Sequence, residues 1–129
     1  HHGALGGFVR VWIRGPRATP QAIIALIKDI PGIAMALTKD EVCTRFDLPP
    51  DREGDVAVIG DSGTVIGAAA AEHDLSNLSD ARLRSHGSTT EARVPFILSR
   101  PASAEFQQRA AQGLKSYQIF DYAINGVAA

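Results

Sequence analysis

Apolar and polar positions alternate along this chain in blocks that predict short elements. Phe8-Val9-Arg10-Val11-Trp12-Ile13 has the β-branched and aromatic content of a buried strand. Beyond the turn at Gly15-Pro16, Ile23, Leu26, Ile27 and Ile30 recur at helical spacing while Lys28 and Asp29 fall on the wet side. This predicts a helix over about 20–30, capped by Thr19, with Pro20 at the first position, where a missing amide costs nothing. Pro31-Gly32 stops that helix, and Gly32 to Leu37 reads as a second strand. Thr38 and Glu41 then have the spacing of a capping box, which predicts a short helix through Phe46, closed by Leu48-Pro49-Pro50.

Asp55 to Ile59 and Thr64 to Gly67 read as two further strands, and Asp61-Ser62-Gly63 between them is a hairpin signal. The resulting strand-helix-strand-helix-hairpin order predicts an α/β (α+β) architecture, with a small subdomain at 1–67. From residue 68 the periodicity fades. A long, mostly irregular segment leads to His86, followed by a strand over 94–98, a helix begun by Ser103 that carries Phe106 and Ala110, and a last strand over 119–124. Residues 68–129 are accordingly expected to form a second segment.

Composition narrows the function classes. Thirteen basic and fourteen acidic residues are well mixed, for a formal charge of −1, so the electrostatic footprint of a nucleic-acid binder is absent. The longest apolar runs, 22–27 and 33–37, are far short of the roughly 20 residues that cross a bilayer. No basic region followed by an apolar block marks a signal peptide. Cys43 is the single cysteine, which excludes intrachain disulfides and thiolate zinc clusters and suits a cytoplasmic location. The start, His1-His2-Gly3-Ala4-Leu5-Gly6-Gly7, lacks an initiator methionine and runs straight into the first strand, as a piece of a larger protein would.

Four histidines are available for chemistry. His1 and His2 sit at the terminus and are read as loop residues; His73, in His-Asp-Leu-Ser, is either a structural donor or a pocket residue. His86 differs. It lies in Leu83-Arg84-Ser85-His86-Gly87, a turn before a strand, where Gly87 permits close approach and Arg84, Ser85 and Glu91 are polar neighbours able to orient a ring. A zinc centre needs three or four protein ligands, so His86 is at most one of a set. Asp47, Asp51, Asp55 and Asp61 flank turns and are explained by capping and solvation. Gly3, Gly6 and Gly7 precede a strand instead of linking a strand to a helix, so they do not form a phosphate loop. Ser85 beside His86 is a weak nucleophile-base pair, because adjacent residues in an extended turn point apart.

As a set, His1 to Phe8, Gly54-Asp55-Val56, His73-Asp74-Leu75-Ser76, Leu83 to Gly87, Glu91 to Phe96 and Phe120 to Val127 resemble the carboxyl-terminal part of the phosphonoacetate hydrolase family, within the alkaline-phosphatase superfamily. The likeness covers nearly the whole chain. It implies a parent enzyme with two zinc ions that hydrolyses phosphonoacetate to acetate and phosphate through a phosphothreonine. It also implies that His86 is the late histidine ligand of one zinc, with His73, Arg84, Ser85 and Glu91 as candidates for orienting it or lining its pocket. The nucleophilic threonine, the other ligands and the lysines that hold substrate would then lie upstream, so Lys28, Lys39 and Lys115 inherit no role. On this reading the 129 residues alone are inactive, bind zinc weakly or not at all, and expose surfaces that favour a homodimer. The expected partner is a small phosphonate, with neither nucleic acid nor membrane.

Two other readings stay open on the sequence. The first half suits a non-catalytic, ferredoxin-like binding or interaction module. Alternatively, the parent is another alkaline-phosphatase-superfamily enzyme, a phosphodiesterase, another phosphonate hydrolase or a mutase.

Overall fold

The computed structural model describes residues 4–69 and 86–128. The chain divides into two compact units, His1–Ala92 and Arg93–Ala129, so the turn that carries His86 groups with the amino-terminal elements.

In the first unit, β1 (Ala4–Gly6), β2 (Phe8–Val11), α1 (Pro20–Ile27), β3 (Ile33–Thr38), α2 (Lys39–Phe46), β4 (Val56–Gly60) and β5 (Ile66–Gly67) follow in order. β4 is the middle strand of an antiparallel sheet in the order β2-β4-β3. Phe8 pairs with Ile59 on one side and Met35 with Ile59 on the other. All five residues of β4 are buried, which is why its sequence is an unbroken apolar run rather than an alternating one. With Val42 of α2, the residues Val56, Ala57, Val58 and Ile59 make the core.

The expected hairpin does not form. Asp61 makes the turn, its carboxylate accepting from the Gly63 amide at 2.9 Å, but the two segments leave it into different sheets: β4 joins β2 and β3, and β5 pairs antiparallel with β1. β4 already has a partner on both edges, so no edge is left for β5.

The helices of this unit start as their caps dictate. Thr19 Oγ1 accepts from the Ala22 amide at 3.2 Å, with Pro20 at the head of α1. At α2 the box is reciprocal: Thr38 Oγ1 accepts from the Glu41 amide at 3.4 Å and Glu41 Oε2 accepts from the Thr38 amide at 2.8 Å. α1 buries less than its pattern suggested. Ile23 and Ile27 are half-buried, whereas Leu26 is 79% exposed.

The second unit contains α3 (Ala104–Ala111) and α4 (Ile119–Asn125). Buried Phe106 and Tyr122 meet edge to face with centroids 4.9 Å apart, and Phe96 packs on Tyr122 in the same manner at 5.3 Å. The Tyr122 hydroxyl donates to the Phe106 carbonyl at 3.0 Å, which satisfies a buried polar group. Two sequence expectations are corrected in this unit. Residues 119–124 form a helix rather than a strand, since Asn125 Nδ2 donates to Asp121 at 3.0 Å one turn back and Tyr122 is buried against Phe106 of α3. Residues 94–98 form neither strand nor helix: Pro95 has no amide to donate, and among the described residues the second unit contains no strand for them to pair with. Instead, Ala102 bridges to Val127, with the Ser103 amide donating to the Gly126 carbonyl at 2.7 Å.

Candidate functional site

His86 is held where the sheet ends. The Gly7 amide, between β1 and β2, donates to the His86 carbonyl at 2.7 Å, and the Gly60 amide at the end of β4 donates to the Gly7 carbonyl at 2.9 Å. Ser88, 7% exposed, closes the arrangement by donating its hydroxyl to the Gly60 carbonyl at 3.2 Å. Three segments distant in sequence thus converge on one point, and the histidine turn is fixed to it by backbone.

The turn has its own internal lock. Gly87 adopts φ +85°, a left-handed conformation that suits glycine, and lets the chain pass close to Phe8. Ser88 caps the 3₁₀ turn Thr89–Glu91, and Glu91 Oε2 reaches back to accept from the Ser88 amide at 2.9 Å. Glu91, a candidate for orienting the histidine, therefore acts on the turn's backbone two residues further on. His86 itself is exposed.

The seat depends on Gly6 and Gly7. A Cβ built on Gly6, itself at φ +88°, would stand 2.7 Å from His86 Cε1 and from the His86 carbonyl oxygen and 2.8 Å from Nδ1; one on Gly7 would stand 2.6 Å from Ser88 Cβ. Separations below 3 Å leave no room for a methyl group. The sequence shows these glycines, but only as a failed phosphate loop; no local signal ties them to a histidine some 80 residues further along the chain.

His73, Arg84 and Ser85 lie outside the described residues. Among the described residues no group of three or more His, Cys, Asp or Glu side chains is placed to hold a metal ion. One imidazole does not make a zinc centre, so the described residues by themselves do not fit that cofactor. Asp61 and Asp55, the carboxylates of this unit nearest the strand ends in sequence, are used structurally. Asp61 is held below the ordinary carboxylate range by the Thr64 hydroxyl and then the Gly63 amide, and Asp55 Oδ2 accepts from the Ile13 amide at 2.7 Å. Among the described residues no helix is long and apolar enough to cross a membrane.

Comparison with known proteins points one way. No protein-family model matches the chain. A stretch of 31 residues, 24% of the chain, is 58% identical to a phosphonoacetate hydrolase from Penicillium oxalicum and covers 43% of that protein. Crystal structures of phosphonoacetate hydrolase from Sinorhizobium meliloti 1021, in complex with phosphonoformate and with phosphonoacetate, each match 99% of this chain at 32% identity and a TM-score of 0.66. The chain spans 30% of the length of those solved proteins and less than half of the curated relative. Over that span its mixed α/β fold is similar to theirs, and the resemblance carried by the sequence motifs is borne out.

Proposed function

We propose that this chain contributes part of a zinc-dependent hydrolase that cleaves the carbon–phosphorus bond of phosphonoacetate to give acetate and phosphate. The observation that carries the reading is the 32% identity maintained over 99% of the chain, at a TM-score of 0.66, to an enzyme crystallised with phosphonoacetate. In this reading His86 supplies one ligand to one of two zinc ions. Its support is geometric: an exposed imidazole on a turn bonded to the ends of two strands is held by the scaffold and offered to whatever lies beyond it. Zinc, when bound, contributes Lewis-acid stabilisation of the charge on the phosphoryl group. The other ligands, the substrate-holding lysines and the threonine that would carry the phosphoryl intermediate are assigned to residues outside these 129. The single, unpaired Cys43 agrees with the cytoplasmic location proposed for such an enzyme.

The test is phosphate release from phosphonoacetate by the full-length natural chain with zinc, set against its His86→Gln variant. The expected loss exceeds the roughly 10–100-fold that removal of a group supporting a metal ligand costs. Wild-type rates in the variant would refute the role of His86. No release from phosphonoacetate by the wild type, with turnover of a phosphodiester instead, would move the chain to another hydrolase.

A further inference from the structure

We propose that the apolar side of the second unit is a docking surface for the part of the hydrolase chain that lies outside these 129 residues. The inference rests on the reading of the chain as part of a longer hydrolase and needs neither a metal ion nor the histidine turn. Among the described residues, eight large apolar side chains are exposed, and five of them, Val94, Ile97, Tyr117, Phe120 and Ile124, belong to the second unit, which is under a third of the chain. Its own interior is small, with Phe106 and Tyr122 as the large side chains buried in it. A unit of that size buries too little to be stable alone, and exposed apolar groups gathered in one place mark a surface that something covers.

The exposure follows from the packing. On α4, Phe120 (73% exposed) and Ile124 (75%) are four residues apart and share one side, while Tyr122, two residues from each, takes the opposite side to reach Phe106. Beside the start of α4, Val94, Pro95, Phe96 and Ile97 with Ser116 and Ile119 line a cleft of about 320 Å³. Ser116 brings its only polar side chain. A small-molecule site needs several placed polar groups to fix orientation, so the cleft suits an apolar side chain of a docked segment instead.

The occupant is argued from two observations. More than two thirds of the solved relatives' length lies beyond the span that matches this chain, although 99% of this chain is matched, so their counterpart of the second unit belongs to a far longer polypeptide. A second copy fits less well. Exposed Arg93 and Arg100 flank the Val94–Ile97 segment with no carboxylate between them, and a two-fold contact through it would bring like charges together. Asp121 of α4 is already paired with Arg109 at 2.8 Å. A segment of different sequence, apolar with acidic borders, meets both the cleft and the two guanidinium groups.

The test is hydroxyl-radical footprinting of the full-length natural chain, with the urea-unfolded chain as the fully reactive reference and Tyr122 as the buried one. Ile97, Phe120 and Ile124 are expected to be oxidised as slowly as Tyr122 and to remain so on dilution. Oxidation at the unfolded rate overturns the proposal, and so does protection lost on dilution, which assigns the surface to a second copy. The occupant is read by placing photoreactive benzoylphenylalanine at position 120 and mapping the cross-link by mass spectrometry. An intramolecular cross-link to a peptide outside residues 1–129 is expected; one to residues 1–92, or to an isotope-labelled second copy, overturns the proposal. If that variant does not fold, footprinting of the natural chain decides. Protection in a chain that releases no phosphate from phosphonoacetate keeps the surface and removes the hydrolase reading, whereas release without protection removes the surface alone.

Discussion

Arg10 of β2 and Glu53, which precedes β4, share two parallel hydrogen bonds, Nε to Oε2 at 2.8 Å and Nη2 to Oε1 at 2.7 Å, with Glu53 only 3% exposed. The fork brings the two strands into register at the end opposite the histidine turn. The hydrogen bonds that Arg10 donates to Glu53 raise the Arg10 pKa above its ordinary value.

Loss of the carboxylate should destabilise the first unit. Glu53→Ala is expected to cost about 1–3 kcal/mol, below the about 3–5 of a fully buried pair because the Arg10 side chain is 39% exposed and water can replace part of its partner. Since the Arg10 pKa is raised above an already strongly basic value, its contribution is complete throughout the neutral range and is lost only in strong alkali, so the difference between wild type and variant should not depend on pH from about 6 to about 9 through Arg10. Urea denaturation across that range checks both statements; a change under about 0.5 kcal/mol would show the pair to be neutral.

Tyr122 carries two separable contributions. Tyr122→Phe keeps the two edge-to-face ring contacts and leaves the Phe106 carbonyl without its donor, for an expected loss of about 1–1.5 kcal/mol. Tyr122→Ala should cost about 3–5 kcal/mol, the range for removing a buried aromatic ring. Equal losses from the two variants would assign the whole effect to the hydroxyl. Thermal unfolding followed by circular dichroism distinguishes the outcomes.

Acid should loosen α4 through Asp121. Its carboxyl is held below the ordinary range by the Asn125 amide and next by Arg109, whose guanidinium lies 2.8 Å away. A lowered folded-state pKa means a contribution present in full above the ordinary aspartate value of about 3.9 and lost as pH falls through the lowered one. The fall in unfolding midpoint below pH 4 should therefore be shallower in Asp121→Asn than in wild type. Identical acid slopes would remove Asp121 from the account.

Position on the sheet rather than hydrophobicity alone should set the cost of core truncations. Ile59, 0% exposed at the middle of the three-stranded sheet, is expected to lose about 2–5 kcal/mol on replacement by alanine. Leu26→Ala, on the 79% exposed side of α1, should stay within about 0.5 kcal/mol. Comparable losses at the two positions would mean that α1 buries Leu26 against something further in solution.

Elements governed by neighbouring residues were legible in the sequence, and those governed by distant ones were not. The Thr38–Glu41 box and the Thr19-Pro20 start read correctly because cap and amide are three residues apart. Phe120 to Ile124 looks like a strand by composition, but it becomes a helix because Asp121 bonds Asn125 one turn on and Tyr122 finds Phe106. Asp61 makes the turn its sequence promises; which strands flank it was decided by β2, whose Phe8 takes the edge of Ile59. His86 stood out as a candidate from its turn alone. Its seat on Gly6 and Gly7 was invisible, since a bare Cα under a distant ring leaves no periodic or spacing signal.

The central place of β4 bears on how the chain reaches this structure. Both of its neighbours, β2 and β3, precede it in the chain, and among the described residues neither pairs with the other. Nothing in the three-stranded sheet can close until Val56 to Gly60 has been made, and closing it then brings Phe8 to Ile59 in one long-range step. Loop-closure entropy must be overcome before any of these pairings contributes, which places the first unit among slow-folding topologies. During synthesis β2 and β3 would wait unpaired, with Arg10 in the middle of β2 as a charge that discourages their premature association.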